Sequence, residues 1–221
     1  RDTFLIVTLA WLLISVIGSL PYLFSRTISS FTNAFFESAS GFTTTGASIL
    51  TEVESLPHSI LFWRSLTHWI GGIGIIVLVI LILPTLKITG YQLFSLESSV
   101  KEKIHPRIRG VVTRILLIYL GLTAAEILFL SVGDMKVFDS ICHAFGTVAT
   151  GGFSTKNTSI AGYSPYSQYV VGIFMFLAAV SYVVYYHLIS RSFSKIRKND
   201  ELWFYIFMVT ASVCFLTLIL F

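Results

Sequence analysis

Two short runs of threonine and glycine carry the residue types from which a cation site can be built. One is Gly41-Phe42-Thr43-Thr44-Thr45-Gly46-Ala47-Ser48; the other is Gly146-Thr147-Val148-Ala149-Thr150-Gly151-Gly152-Phe153-Ser154. A cation leaving water needs other oxygens in place of its hydration shell, and an extended Thr/Gly run offers backbone carbonyls and hydroxyls at close spacing. Glycine accepts dihedrals that aim successive carbonyls one way, which β-branched neighbours alone resist. Each run taken singly reads either as an ion-coordinating loop or as a turn-rich extracellular loop. Their repetition favours the first reading.

Non-helical backbone survives at membrane depth only where protein or a water-filled cavity surrounds it, so the flanking elements must be membrane helices. The composition agrees: 55% of the 221 residues are hydrophobic and 12% charged, with a mean hydropathy of +0.82, values of a membrane protein. The pI near 9.1 does not indicate nucleic acid, because the basic residues cluster beside apolar spans, as the positive-inside bias requires. Cys142 and Cys214 form no metal or disulfide pattern and read as buried inert thiols.

A first span is expected over residues 4–24, with Pro21 near its end. The chain opens without an initiator Met or a signal-peptide pattern, as a fragment of a longer protein would. Residues 29–42 are too short to cross a bilayer and read as a re-entrant helix, capped by Ser29, Ser30 or Thr32, with Phe31, Phe35, Phe36 and Ala39 as its apolar face. Its C-terminal, partially negative end favours a cation. Glu52 and Glu54 follow, either drawing cations to a mouth or lying in a solvated loop. A second span covers residues 59–83. Its Gly71-Gly72-Ile73-Gly74 is no phosphate loop, lying inside an apolar span, and serves close packing or a flexible point. On this span Arg64 is expected to snorkel to the outer interface, and His68 to bond between helices or face the pore.

The pattern then starts again: span 111–132, short segment 136–146, the second Thr/Gly loop, span 169–189. Registering Gly46 on Gly152, an offset of 106 residues, sets Asn33 on Asp139, Glu37 on His143 and Thr44-Thr45 on Thr150-Gly151. The adjacent Gly151 leaves a shift of one residue open. The expected division is a first repeat over residues 1–86, a cytoplasmic connection over 87–110, a second repeat over 111–190, a connection over 191–201, and the first span of a truncated third repeat over 202–221. Lys87, Lys101, Lys103, Arg107, Arg109 and Arg114 place the first connection in the cytoplasm, where Tyr91, Leu93, Phe94, Leu96 and Val100 suit an interfacial helix or a docking surface. Arg191, Lys195, Arg197 and Lys198 place the second there too. Glu126, inside a span, is a functional candidate, or else is solvated or bonded to a neighbouring helix. Tyr182, Tyr185 and Tyr186 suit an interfacial aromatic belt.

The stretch from Phe35 to Ala47, then His68-Trp69-Ile70-Gly71-Gly72-Ile73-Gly74, then His143 to Ser154 resemble, in that order and along the whole chain, the Trk/Ktr/HKT superfamily of potassium transporters, most of all its bacterial TrkH branch. The resemblance implies an all-α integral membrane fold of four units, each a transmembrane helix, a re-entrant pore helix with a filter loop, and a second transmembrane helix, around a pseudo-fourfold pore. It implies filter glycines Gly46 and Gly152, with the backbone carbonyls of Thr44, Thr45, Thr150 and Gly151 on potassium and Thr43 and Ala149 as their neighbours. Serine at the first filter glycine goes with sodium preference in the plant branch, so Gly46 points to potassium. Glu37 and His143 are read as supports behind the filter. With two of the four units present, the chain alone would not enclose a pore, and the family's gating loop would lie further on.

The resemblance further implies a multi-pass protein of the bacterial inner membrane, homodimeric at full length. Its partners would be the lipid bilayer and cytosolic nucleotide-binding subunits of the TrkA/KtrA kind, docked on the basic connections; anionic lipid accounts for those connections equally well. Potassium is the transported ion, with no organic cofactor and no nucleic acid. The alternatives are a sodium-permeable or Na+/K+ cotransporting member of the superfamily, or a non-transporting scaffold, which leaves the repeated loops unexplained. An intramembrane enzyme using Glu37, His68, Glu126 or His143 fares poorly: these groups share no recognised spacing, and HExxH and GxSxG are absent.

Overall fold

A computed structural model describes residues 2–82, 104–189 and 191–220. The interfacial helix or docking surface expected around Tyr91 to Val100 lies outside the described residues. All regular structure among them is helical: α1 (Asp2–Phe24), α2 (Phe31–Phe42), α3 (His58–Ile82), α4 (Ile104–Val132), α5 (Val137–Val148), α6 (Pro165–Ala179), α7 (Tyr182–Ile189), α8 (Phe193–Arg197) and α9 (Asp200–Leu220). Segments of α1, α4 and α9 are long and apolar enough to cross a membrane, and α6 with α7 qualifies as a further span if the pair is taken together. The 25 residues of α3 give about 37 Å of helix at 1.5 Å per residue.

Contacts divide the chain at Ala178 into two compact units. In the first, α1 packs on α2 and α3, α2 on α3, and α4 on α5; α3 also packs on α4 and α5, joining the two repeats. Each repeat has a small apolar cluster of its own. Tyr22, Ile28, Ala34 and Ile60 form the first; Leu130, Met135, Val170, Val171 and Phe174 form the second. Between the helices the interior also holds many polar side chains, with Ser15, Ser19, Glu37, Ser38, Arg64, Ser65, Thr67, His68 and Glu126 all buried, while large apolar side chains of α1, α4 and α9 are exposed. A chain whose solvent is lipid gains nothing by hiding leucine, and it needs its polar groups inside.

The short helices repeat closely. Each has 12 residues and ends 106 positions from its counterpart. In α2 the buried stripe includes Ala34, Glu37, Ser38, Gly41 and Phe42, and in α5 it includes Ser140, His143, Ala144, Thr147 and Val148. Both follow the i, i+3, i+4, i+7 spacing of one helix face. This corrects the expected apolar face of α2: Phe31 and Phe36 are exposed, and the buried stripe is made of small and polar residues up to Phe42 at its end. Ser30 stands at the N-cap of α2, but its side chain makes no capping bond.

In the second unit, α7, α8 and α9 follow the bend at Val180-Ser181. The apolar run expected as one span over residues 169–189 is two helices. Ser181 occupies the position before α7, a place serine favours, and Val184 donates its N–H to the Ser181 carbonyl at 2.9 Å. Asn199 caps α9 through its side chain, accepting from the Leu202 N–H at 2.8 Å, and Asp200 and Glu201 complement the positive end of that helix.

Candidate ion-coordinating loops

The chain leaves α2 and α5 by the same path. Thr44 and Thr150 take positive φ, 55° and 56°, and Gly46 and Gly152 take 74° and 97°. Thr44 N–H bonds to Gly41 O and Thr45 N–H to Ser40 O, both at 3.0 Å. In the second loop Thr150 N–H bonds to Thr147 O at 2.9 Å and Gly151 N–H to Gly146 O at 2.8 Å. Every one of these features recurs at an offset of 106. The carbonyls of Ser40, Gly41, Gly146 and Thr147 are thus spent on closing the helix ends. Those of Thr44, Thr45, Thr150 and Gly151 accept no hydrogen bond from the described residues. The two loops meet at Gly46, where a Cβ would run into the Gly151 carbonyl oxygen. Glycine is required there twice over, by φ and by space.

Behind the first loop, Glu37 is fully buried in α2. Its carboxylate accepts from the Ser48 hydroxyl at 2.9 and 3.1 Å, from the Ile49 N–H at 3.1 Å, and from Arg64 Nε at 2.9 Å. Behind the second, His143 Nε2 pairs with the Ser154 hydroxyl at 3.0 Å, while Nδ1 pairs with the Asp139 carbonyl at 2.8 Å. Ser48 and Ser154 correspond, as do Glu37 and His143. Asp139 also accepts from the Thr155 hydroxyl at 2.6 Å.

Arg64 departs from expectation. It does not reach an interface: it is 2% exposed, and besides Glu37 it donates to Ser154 O at 3.1 Å and Ser48 Oγ at 3.2 Å, with the guanidinium 4.1 Å above the Phe153 ring. A guanidinium this far from water is costly to bury unless a carboxylate and several acceptors surround it, as they do here. One turn on, His68 stacks on Phe153 at 4.0 Å and its Nδ1 accepts the Phe153 N–H at 3.4 Å. The partner of His68 is therefore loop backbone rather than another helix, and its Nε2 has no hydrogen-bond partner among the described residues. Phe153 and Arg64 are the loop contacts that sequence reasoning missed. The i, i+4 spacing of Arg64 and His68, with Glu37 the one acid on α2, was the available signal.

Other sequence candidates find different surroundings. Glu126 is fully buried, which overturns the solvated reading, with the Thr147 side chain of α5 beside its carboxylate. Glu52 and Glu54 bond to the other repeat: Asn157 donates Nδ2 to Glu52 at 3.0 Å and its N–H to Glu54 at 3.2 Å, and accepts the Val53 N–H at 2.7 Å. Lys156 meets Glu54 at 3.5 Å on the surface. Gly71 sits against the Phe42 carbonyl and Gly72 against Tyr119 and Ala149, neither with room for a Cβ, so these two glycines of α3 serve close packing. Cys142 is buried, but Cys214 is exposed on α9, against expectation. Outside the spans, Asp134 accepts from Ser164 Oγ at 2.6 Å, Ser164 N–H at 2.8 Å and Ser167 Oγ at 2.6 Å. Above all the Ser164 hydroxyl, with the Ser167 hydroxyl and the Ser164 N–H, holds this carboxyl well below the usual carboxylate range.

Comparison with known proteins places this architecture. The family profile described as TrkH, cation transport protein, matches residues 1–221. The potassium uptake protein TrkH of Escherichia coli K12 is 41% identical over 226 residues, covering 100% of this chain and 47% of that protein. The potassium uptake protein TrkG of the same strain is 37% identical over 212 residues, 93% of this chain and 44% of its own length. The crystal structure of the potassium transporter TrkH from Vibrio parahaemolyticus superposes with a TM-score of 0.76 at 38% identity, over 86% of this chain and 38% of that one. The chain spans about half the length of the curated relatives it matches. With two pore-helix repeats, outward-facing apolar helices and a profile match from its first residue to its last, the chain belongs to the TrkH family of cation transport proteins.

Proposed function

We propose that this chain supplies two of the filter loops of a pore that takes up potassium across the bacterial inner membrane, as part of a Trk-type subunit about twice its length. Gly46 and Gly152 are the filter glycines, the carbonyls of Thr44, Thr45, Thr150 and Gly151 hold the ion, Thr43 and Ala149 flank them, and Glu37 and His143 support the loops. The observation that carries the reading is the repeated loop backbone, with positive φ at Thr44, Gly46, Thr150 and Gly152 and four carbonyls left uncommitted. Carbonyls free of N–H donors can replace water on a cation without first breaking a bond. Two helices end just before these loops, at Phe42 and Val148, and a helix C-terminus carries a partial negative charge that favours a cation.

A potassium ion entering would shed water against these oxygens and move on when the next ion arrives, since conduction needs binding weak enough to release. The repeats lie in residues 1–86 and 111–190, with one cytoplasmic connection between them over 87–110 and another over 191–201 leading to the first span of a third repeat. Assembly as a homodimer, with cytosolic nucleotide-binding subunits docked on those connections, completes the proposal.

The test is rubidium uptake into proteoliposomes by the complete protein that carries these residues, beside the 221-residue chain alone. Uptake by the complete protein only is expected. Gly46→Ser is expected to weaken discrimination of potassium over sodium, and an unchanged ion preference would remove Gly46 from the filter. A wild type that prefers sodium would favour the sodium-permeable alternative, and one that transports neither ion would favour a scaffold.

A further inference from the structure

Arg64 is the side chain through which α3 grips both loops at once. Its Nε and Nη2 hold Glu37 and Ser48 of the first repeat, while Nη1 and the face of the guanidinium hold the Ser154 carbonyl and Phe153 of the second. Ser48 and Ser154 each stand two residues beyond a positive-φ glycine, Gly46 or Gly152. The loops touch directly only a few residues away, at Gly46 and the Gly151 carbonyl. A planar fork with donors in fixed directions sets distances in a way that a flexible ammonium does not.

We propose that Arg64 is a positioning residue for ion selectivity, its guanidinium setting the gap between the two loops and Glu37 cancelling its charge so that it does so without repelling the cation. This rests on reading the loops as a filter. Discrimination between cations of equal charge depends on how many oxygens surround the ion and how they are spaced, so a gap that widens by a fraction of an ångström is read out as selectivity before it is read out as lost transport. The charge balance matters as much, since a guanidinium without its carboxylate would put a full positive charge behind carbonyls meant for a cation. His68 on the next turn, stacked on the opposite repeat's Phe153, keeps α3 seated against the same loop.

The experiment is rubidium uptake by the complete protein in proteoliposomes, with and without competing sodium, for wild type, Arg64→Lys, Ser48→Ala, Glu37→Gln and the double variant Glu37→Gln with Arg64→Gln. Arg64→Lys keeps the charge and loses the fork; discrimination against sodium is expected to fall about tenfold, the scale of one charge-assisted hydrogen bond, with uptake itself less affected. Ser48→Ala removes the hydroxyl that joins Arg64, Glu37 and the Leu50 N–H and leaves the ion pair; a fall of about threefold is expected. Glu37→Gln should weaken apparent rubidium affinity, and the double variant should restore part of it. Discrimination within twofold of wild type in both folded Arg64→Lys and Ser48→Ala would overturn the proposal, and Ser48→Ala decides alone if Arg64→Lys does not fold. If wild type itself fails to distinguish the ions, the filter reading falls instead. The clamp is then judged by thermal unfolding: Ser48→Ala and Phe153→Leu should be coupled in the native background and additive in the Arg64→Lys background, and additivity in both would overturn it.

Discussion

The loop after α2 and the loop after α5 share one backbone path and differ in what stands behind it. Behind the first is a buried ion pair, Glu37 with Arg64; behind the second is an uncharged pairing of His143 with Ser154. Gly46 is pressed against the Gly151 carbonyl, whereas a Cβ on Gly152 would meet nothing within 4 Å. The second repeat carries Asp134 at its entrance, and the corresponding residue of the first is the buried Ile28. What must recur is the direction of the backbone, because that sets the oxygens. The bracing need only satisfy each buried polar group, and several side-chain pairs can do that.

The largest test of this difference is stability. Arg64→Leu strands a buried carboxylate and should cost about 3–5 kcal/mol, while His143→Leu leaves only hydroxyl and carbonyl partners and should cost about 1–3 kcal/mol. Thermal unfolding of the complete protein ranks them, and equal losses would mean the two braces carry equal weight. Next come the glycines. Alanine at either position adopts a left-handed φ at about 1–2 kcal/mol, and only Gly46→Ala also collides with the other loop. Rubidium uptake should therefore fall further for Gly46→Ala than for Gly152→Ala.

Acid should then separate the repeats. Asp134 has its native carboxyl held below the ordinary value, so its contribution is full above about pH 4, the unfolded range of aspartate, and is lost as pH falls from there toward the native value. Asp134→Asn should remove that part of the acid sensitivity, which unfolding midpoints against pH would read, and the first repeat supplies no counterpart. The smallest effects lie where the repeats are tied outside. Asn157→Ala loses the two hydrogen bonds of the side-chain amide, with the Val53 N–H and with Glu52, while the Asn157 N–H still reaches Glu54, and should cost about 1 kcal/mol. Lys156→Ala breaks a surface pair and should cost about 0–1 kcal/mol, fading with salt. A larger loss at Lys156 than at Asn157 would mean the tie is electrostatic.

Much of the arrangement is legible in the residues. Span lengths, the two short helices and their offset follow from hydropathy and from the spacing of Thr and Gly, since lipid dictates helix length and each loop needs a helix end before it. The buried face of α2 was not legible, because Phe31, Phe35 and Phe36 carry the apolar signal and in a membrane that signal marks the outside. Nor was the break at Val180-Ser181, in a run that hydropathy alone reads as continuous.

By itself, then, the sequence determined the class of protein and the two Thr/Gly loops after short helices, which depend on neighbours along the chain and on the solvent. The choice between Gly151 and Gly152 as the counterpart of Gly46 waited on the backbone, where Gly152 takes the positive φ. Only the tertiary structure decided where Arg64 goes. An arginine in an apolar helix can snorkel or pair, and the choice turns on whether a buried acid stands within reach; Glu37 stands there because α2 packs on α3, a contact between residues 27 positions apart that no local pattern records.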